Sequence, residues 1–400
     1  MANKRIDELT AATPVVGDFV ATTGVGGPAT KATVQQAANA GLRLDTAVIE
    51  AYTGTNYIPY NYAITPGIPT SRDGVLIAVS TAGVTVKKYD SVGGGLVTLT
   101  QSNLVGVDGN YQPQNMASIT TLSTPLLAHV GDFYQPSTMA SLTTLSAPLL
   151  AYVGSSYGPN TMASLTTLAT PLLAYVGSSY SPNVMASLTT LSAPLLDYVG
   201  SSYGPNTMAS LTTLSTPLLT YVHSFYQPNT MASLTTLSAP LLAYVGGSYT
   251  PSTMAALTAI SLPALTSVGV DLARTAFTNG RIAPATMAAL TTLTFPVIEV
   301  IGSSSSVSIN IILGTAALST FTLGSTLRRV EGNVIMTSCA LLVASVDDLL
   351  VRLAALDGTG LTTAYSSKTV TITGTSATPS ATGLAAKAIL VARGCTVTHN

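Results

Sequence analysis

Methionine recurs at an unbroken interval of 23 residues, at Met116, Met139, Met162, Met185, Met208, Met231 and Met254. A fixed period of that length is the mark of one small unit stacked on copies of itself, so the fold must be translationally repetitive. Two leucine columns keep the same step. One runs through Leu142, Leu165, Leu188, Leu211 and Leu234, with Ile119 and Leu257 at its ends. The other runs from Leu122 through Leu145 and Leu168 to Leu237 and ends in Ile260. Proline falls twice in every unit, in one column from Pro113 to Pro251 and in another from Pro125 to Pro263. Proline fixes φ and lacks a ladder donor, so two per unit exclude a long helix and mark the corners of a tight coil. Between the corners, Leu-Thr-Thr-Leu-Ser predicts a short strand, whereas Leu-Leu-x-Tyr-Val-Gly is too short for a stable helix of its own.

Within one unit, Leu165, Leu168, Pro171, Leu173, Val176, Gly177 and Tyr180 keep the spacing of a known motif. This pattern resembles the 23-residue class of leucine-rich repeat found in bacterial surface proteins. It departs from that pattern in lacking one residue before the Val-Gly pair, and in alternating Thr124, Ala147, Thr170 and Ala193 before the proline. The resemblance implies a leucine-rich-repeat-like, β-rich solenoid over residues 111–300. A looser copy lies around Met287, after an insertion near 264–283 that contains Arg274 and Arg281.

Composition removes several functions. The chain is 47% hydrophobic and 8% charged, against about 25% charged in ordinary domains, so Ser, Thr, Asn, Gln and Tyr must keep its surface in water. From Lys88 to Arg274 no Lys or Arg occurs, and the net charge is -1. No patch in that stretch can neutralise phosphates or anionic headgroups, which argues against nucleic acid as a partner. Thr, Ser, Pro or Gly interrupts every apolar cluster, so no membrane-inserting run of about 20 residues exists. Cys339 and Cys395 have neither metal-ligand nor redox spacing and read as small buried side chains.

The flanks differ from the array. Residues 1–43, with Lys4, Arg5, Asp7, Glu8, Thr13, Pro14 and a Gly-rich turn at Gly24 to Gly27, lack the apolar core of a secretory signal. They resemble the opening segment of phage tail-fibre-type proteins, which implies a leader that docks the chain to other virion proteins. Residues 44–110 alternate apolar and polar side chains between glycine turns and read as a small antiparallel β module. In residues 301–400, Ser345 is expected to cap a helix through Leu349 to Leu356. Lys368 then opens a strand, Ala381 to Arg393 forms a second helix, and Cys395 begins a last strand. This α/β ending is similar to the terminal unit of leucine-rich-repeat proteins in phage structural genes, and it would close the last coil.

No catalytic, cofactor or metal constellation emerges. A glycan-cleaving site needs paired carboxylates, but Asp197 is the one acid between Asp132 and Asp271. His129, His223 and His399 have neither metal spacing nor a nucleophile partner. His129 stands in a tyrosine column, and His223 in a glycine column, so that column does not strictly require positive φ. What remains is surface. Candidate binding residues are the column Tyr152, Tyr175, Tyr198, Tyr221 and Tyr244, whose Ser-, Gly- and Asn-rich setting is like that of antibody loops, and the strand residues Thr144, Thr190 and Thr213. A second column, Tyr111 to Tyr249, reads alternatively as a ladder sealing the coil. The Thr strips suit another subunit or a polysaccharide.

The expectation is a non-enzymatic phage virion component, a tail-fibre- or spike-like adhesin for a host glycan or protein, homo-oligomeric and trimeric by analogy with fibrous virion proteins. The alternatives are a capsid-decorating protein and a bacterial surface adhesin.

Overall fold

The computed structural model describes residues 98–101, 104–270, 278, 280–302, 307–312 and 317–400, with the backbone of strands at 18–21, 30–33, 47–53, 56–58, 74–80 and 83–89. Contacts divide the chain into two compact units, residues 1–176 with 182–188, and residues 177–181 with 189–400. Parallel strands in short stacked sheets dominate both, giving a β-rich repeat array.

In the first unit each coil carries a long strand (Thr98–Thr100, Thr121–Ser123, Thr144–Ser146, Thr167–Ala169) and a two-residue strand (Gly106–Val107, His129–Val130, Tyr152–Val153, Tyr175–Val176). Both kinds pair in parallel with the equivalent strand one coil away, so Leu122 lies opposite Leu99 and Leu145, and Val130 opposite Val107 and Val153. Single-residue bridges add two further ladders, through Tyr111, Tyr134 and Tyr157 and through Gln114, Ser137, Asn160 and Asn183. Strand side chains alternate: Leu145 is buried between Thr144 and Ser146. Met139, Leu142, Leu150, Val153 and Tyr157 complete the interior of that coil, all fully buried.

The second unit repeats this from Thr190–Ser192 and Tyr198–Val199 onward. Beyond Ser261 the period loosens: Ala259 pairs with Thr292, and Thr292 with Thr320. Met287 is buried there like its counterparts, as the looser copy predicts. Of the insertion, Arg274 lies outside the described residues; Arg281 is described and exposed.

The unit ends in a parallel sheet of Val307–Ile312, Asn333–Cys339, Thr369–Gly374 and Thr396–His399. Helix α1 (Val343–Ala354) and helix α2 (Ala381–Ala392) form its crossovers. Ser345 does not cap α1 as expected. Leu342 stands at the cap with no side-chain bond, and the buried Ser345 hydroxyl instead accepts from the N–H of Phe321, at 3.2 Å, on the edge of the last long strand. Covering that edge outweighs capping, because a buried orphan N–H costs about 1–3 kcal/mol. Asp347 of α1 clamps the next helix by accepting from the N–H (3.0 Å) and hydroxyl of Ser380, the α2 cap. Arg393 donates to the α1-end carbonyls of Ala354 and Leu356 at 2.8 and 2.9 Å. Both cysteines are free and buried, and burial pushes the Cys339 thiol up to about 11.

Within residues 44–110 the sheet is mixed. Ala47–Thr53 and Gly74–Ser80 form hairpins with Asn56–Ile58 and Gly83–Tyr89, but pair with each other in parallel. Period-2 alternation fixes which side chains share a face and not the direction of the neighbour. Residues 1–43 lie outside the described residues, apart from the antiparallel backbone pair Asp18–Ala21 and Thr30–Thr33.

The corner before each methionine is left-handed without glycine, at Asn115, Thr138, Thr161, Val184, Thr207, Thr230 and Thr253, with φ between 53° and 60°. A β-branched side chain is strained there. Glycine serves another column: Gly154 has ordinary φ, but a Cβ on it would stand 1.9 Å from the Gly131 carbonyl oxygen. Replacing Val184 by Asn, the residue at position 115, should raise stability by about 1 kcal/mol, read as a higher urea midpoint at unchanged slope.

Candidate interaction surface

The two tyrosine columns part company. Tyr111, Tyr134 and Tyr157 in the first unit, and Tyr180, Tyr203, Tyr226 and Tyr249 in the second, point inward and are at most 1% exposed. Their rings stack at centroid spacings of 4.9 to 5.3 Å. This column is a core ladder. The Tyr111 hydroxyl donates to Gln101 Oε1 at 2.6 Å, whereas those of Tyr134, Tyr203 and Tyr249 are buried without a partner. Burial, reinforced by neighbouring rings, holds the Tyr134 and Tyr203 phenols well above their ordinary pKa.

The other column faces out. Tyr152 and Tyr175 are 44% and 36% exposed and stack at 4.9 Å, 3° from parallel. In the second unit Tyr198 and Tyr221 stack at 5.0 Å, and Tyr221 and Tyr244 at 4.7 Å. In-register pairing lays each ring on the next, so the faces cover one another and the rim offered to a ligand consists of ring edges and hydroxyls. Tyr244 is buried, its hydroxyl donating to the Val270 carbonyl at 2.5 Å. Tyr221 lies 2.9 Å from His223 Nδ1, and burial followed by the adjacent Tyr198 raises its pKa. His129 replaces a ring in this column and sits over Gly106, its Nε2 3.6 Å from an Asp108 oxygen.

Thr144 and Thr213 are half-buried and Thr190 is exposed, each on the outward side of its strand. The threonine before them is spoken for. Thr143, Thr166, Thr212 and Thr235 donate their hydroxyls to the carbonyl 23 residues earlier, at 3.0 to 3.2 Å. So the structure brings the outward tyrosines and the outward threonines onto different stretches of each coil.

Sequence reasoning missed a third outward row. Leu126, Leu149 and Leu172 in one unit and Leu195, Leu218 and Leu241 in the other are 39% to 46% exposed, while the leucine after each is buried. Adjacent leucines read as one apolar stretch, but the proline turn puts the first at the corner and only the second inside. The proline before the pair is the signal that separates them.

Among the described residues, no three His, Cys, Asp or Glu side chains gather where they could hold a metal ion, and no helix is long and apolar enough to cross a membrane. The exposed Asp197 carboxylate accepts from the Thr220 hydroxyl. No family model, curated protein or solved structure matches this chain.

Two outcomes follow from the inner ladder. Tyr134→Phe removes an unpartnered buried hydroxyl and should leave stability unchanged or raise it by about 1 kcal/mol, whereas Tyr111→Phe, which strands Gln101, should lower it by about 1–2 kcal/mol; urea melts of the pair decide. Burial also holds the phenols of Tyr111, Tyr134, Tyr157, Tyr203, Tyr226 and Tyr249 above the ordinary range. The unfolded chain loses those protons near pH 10 and the folded chain keeps them, so stability is complete below about pH 10 and falls above it. Tyrosinate absorbance of these rings should rise together with loss of the far-ultraviolet strand signal; ionisation of the full tyrosine complement in an intact fold would contradict the burial.

Proposed function

We propose that the chain is a non-catalytic structural component of a bacteriophage particle, a tail-fibre- or spike-like adhesin that binds a host-surface glycan or protein through the arc carrying the outward tyrosines. The observation that carries this reading is where the copies differ. Around Tyr152 and its equivalents the side chains change from coil to coil: Asp132 against Ser155, Phe225 against Ser202, Gln227 against Gly204, and Asp197 and Thr220 against Ala151. A rigid backbone presenting tyrosine edges beside variable small and polar groups is how a recognition surface is built at low entropic cost. Face-to-face stacking leaves little ring face for a sugar, so recognition would run through the row of phenol hydroxyls and the groups beside it. Sparse acids support binding in place of hydrolysis.

Placement on a virion rests on the likeness of residues 1–43 to tail-fibre leaders. Assignment to the leucine-rich class rests on the leucine columns at 23-residue spacing. A capsid-decorating protein is the reading that stands if the surface has no receptor.

The test is binding of the full-length chain, a chain lacking residues 1–43, and Tyr152→Ala/Tyr221→Ala to bacterial cells, a panel of surface glycans and assembled particles. An adhesin predicts that both unmutated forms bind cells or glycans, that only the full chain joins particles, and that the double variant binds its receptor at least about tenfold more weakly. Particle binding with no cell or glycan binding removes the adhesin and leaves decoration.

A further inference from the structure

The internal copies are a comparison set in themselves, because equivalent residues of stacked coils meet nearly the same surroundings. Across the six complete copies from Met116 to Thr253, the columns that are not buried fall into two arcs. In the arc Ala128 to Thr138 and its equivalents, all eight such columns vary. In the arc Ala117 to Leu126, seven such columns show one exchange in total, Ala169 in a serine column. Duplication alone leaves copies alike everywhere and lets exposed positions drift together. Sameness confined to one exposed arc means that something outside the coil holds it constant.

The structure supplies an internal reason for the prolines from Pro125 onward, which fix the corner, and for the threonines at Thr143 and its equivalents, whose hydroxyls ladder to the preceding coil. It supplies none for the columns of Thr144 and Ser146, which stand on the outward side of a strand whose middle leucine is buried. Nor does it for the row of Leu126, Leu149 and Leu172, left 39% to 43% exposed.

We infer that this arc is where a second copy of the chain docks, arc against arc. Three observations select that occupant. Rows that repeat at the strand spacing of about 4.8 Å are matched over several coils only by a face with the same repeat, which another copy provides, and identical rows of small side chains interdigitate when two sheets pack about 10 Å apart. No Asp, Glu, Lys or Arg occurs in the arc in any of the six copies, so a two-fold arrangement opposes no like charges and desolvates none. The leucine row borders the hydroxyl rows with apolar surface in every coil, which a partner would take out of water. This docking face is distinct from the tyrosine arc and does not depend on the receptor reading.

The test is sedimentation equilibrium of the full chain over a concentration series, for the natural sequence, for Thr144→Lys/Thr213→Lys on the constant arc, and for Ala151→Lys/Asp197→Lys on the variable arc. The natural chain should self-associate, the first pair should weaken association at least about tenfold, and the second should leave it within about twofold. A second arm uses Thr144→Cys, the native thiols being buried: mild oxidation should give a disulfide-linked dimer, and Ser155→Cys should not. The cysteine arm decides if the lysine pair fails to fold, judged by circular dichroism. A natural chain that stays monomeric throughout, equal weakening by both lysine pairs, or association without a Thr144→Cys dimer each overturns the inference.

Discussion

Every feature of the array depends on in-register parallel pairing across 23 residues. When Leu122 lies opposite Leu145 and Tyr152 opposite Tyr175, each side chain has its own equivalent as nearest neighbour, at about the strand spacing of 4.8 Å. That geometry favours residues that like themselves: leucine fills a continuous interior, tyrosine rings stack, and threonine hydroxyls ladder onto carbonyls. It also explains the scarcity of charge. Two like charges at that distance repel by about 1 kcal/mol in water and about 3.5 kcal/mol at an effective dielectric of 20, and a charged column would incur that at every step. The Arg328–Glu299 pair fits the rule, since it lies beyond Ser261, where the strict period has ended and one column can carry alternating signs.

The same pairing explains why strained corners persist. Thr161 and Val184 hold left-handed backbone that isolated β-branched residues avoid. At Thr161 its own N–H and that of the following methionine are tied into the ladders: Thr161 donates to the Asn183 carbonyl and Met162 to that of Val184, at 3.1 and 3.0 Å. Bonds on both sides of the corner over-determine φ, so the cost is met by the stack and not by the residue. Glycine stands instead where coils approach closely, at Gly131 and Gly154, although the same column admits His223 in the other unit.

Much of this was legible in the sequence, for a physical reason. A coil that stacks on copies of itself writes its period directly into the chain, so methionine, leucine and proline columns predict interior and corners together. The terminal helices and strands were legible from ordinary helix and strand patterns, within a few residues. What the pattern left open was direction. Two tyrosine columns of equal regularity face opposite ways, because which side of a corner points inward depends on the turn geometry at the proline. Ser345 was misplaced because its partner, the Phe321 N–H, is 24 residues away, and a local capping rule has no term for a distant strand edge. The mixed sheet before residue 110 was missed because alternation is the same for parallel and antiparallel neighbours.

The regularity that makes the fold legible also separates structure from use. In most chains a constant exposed residue is ambiguous, since its surroundings are unique and any local need could fix it. Here six coils repeat the surroundings, and the structure accounts for the buried columns, the proline corners and the first threonine of each pair. The tyrosine arc shows which changes the backbone accommodates, since His129, Asp132, Phe133 and Asp197 all stand in the repeat, and such positions are open to a ligand's demands. Constancy on the threonine and leucine arc is the departure from that baseline, and the free energy that maintains it must come from contacts the isolated coil does not make.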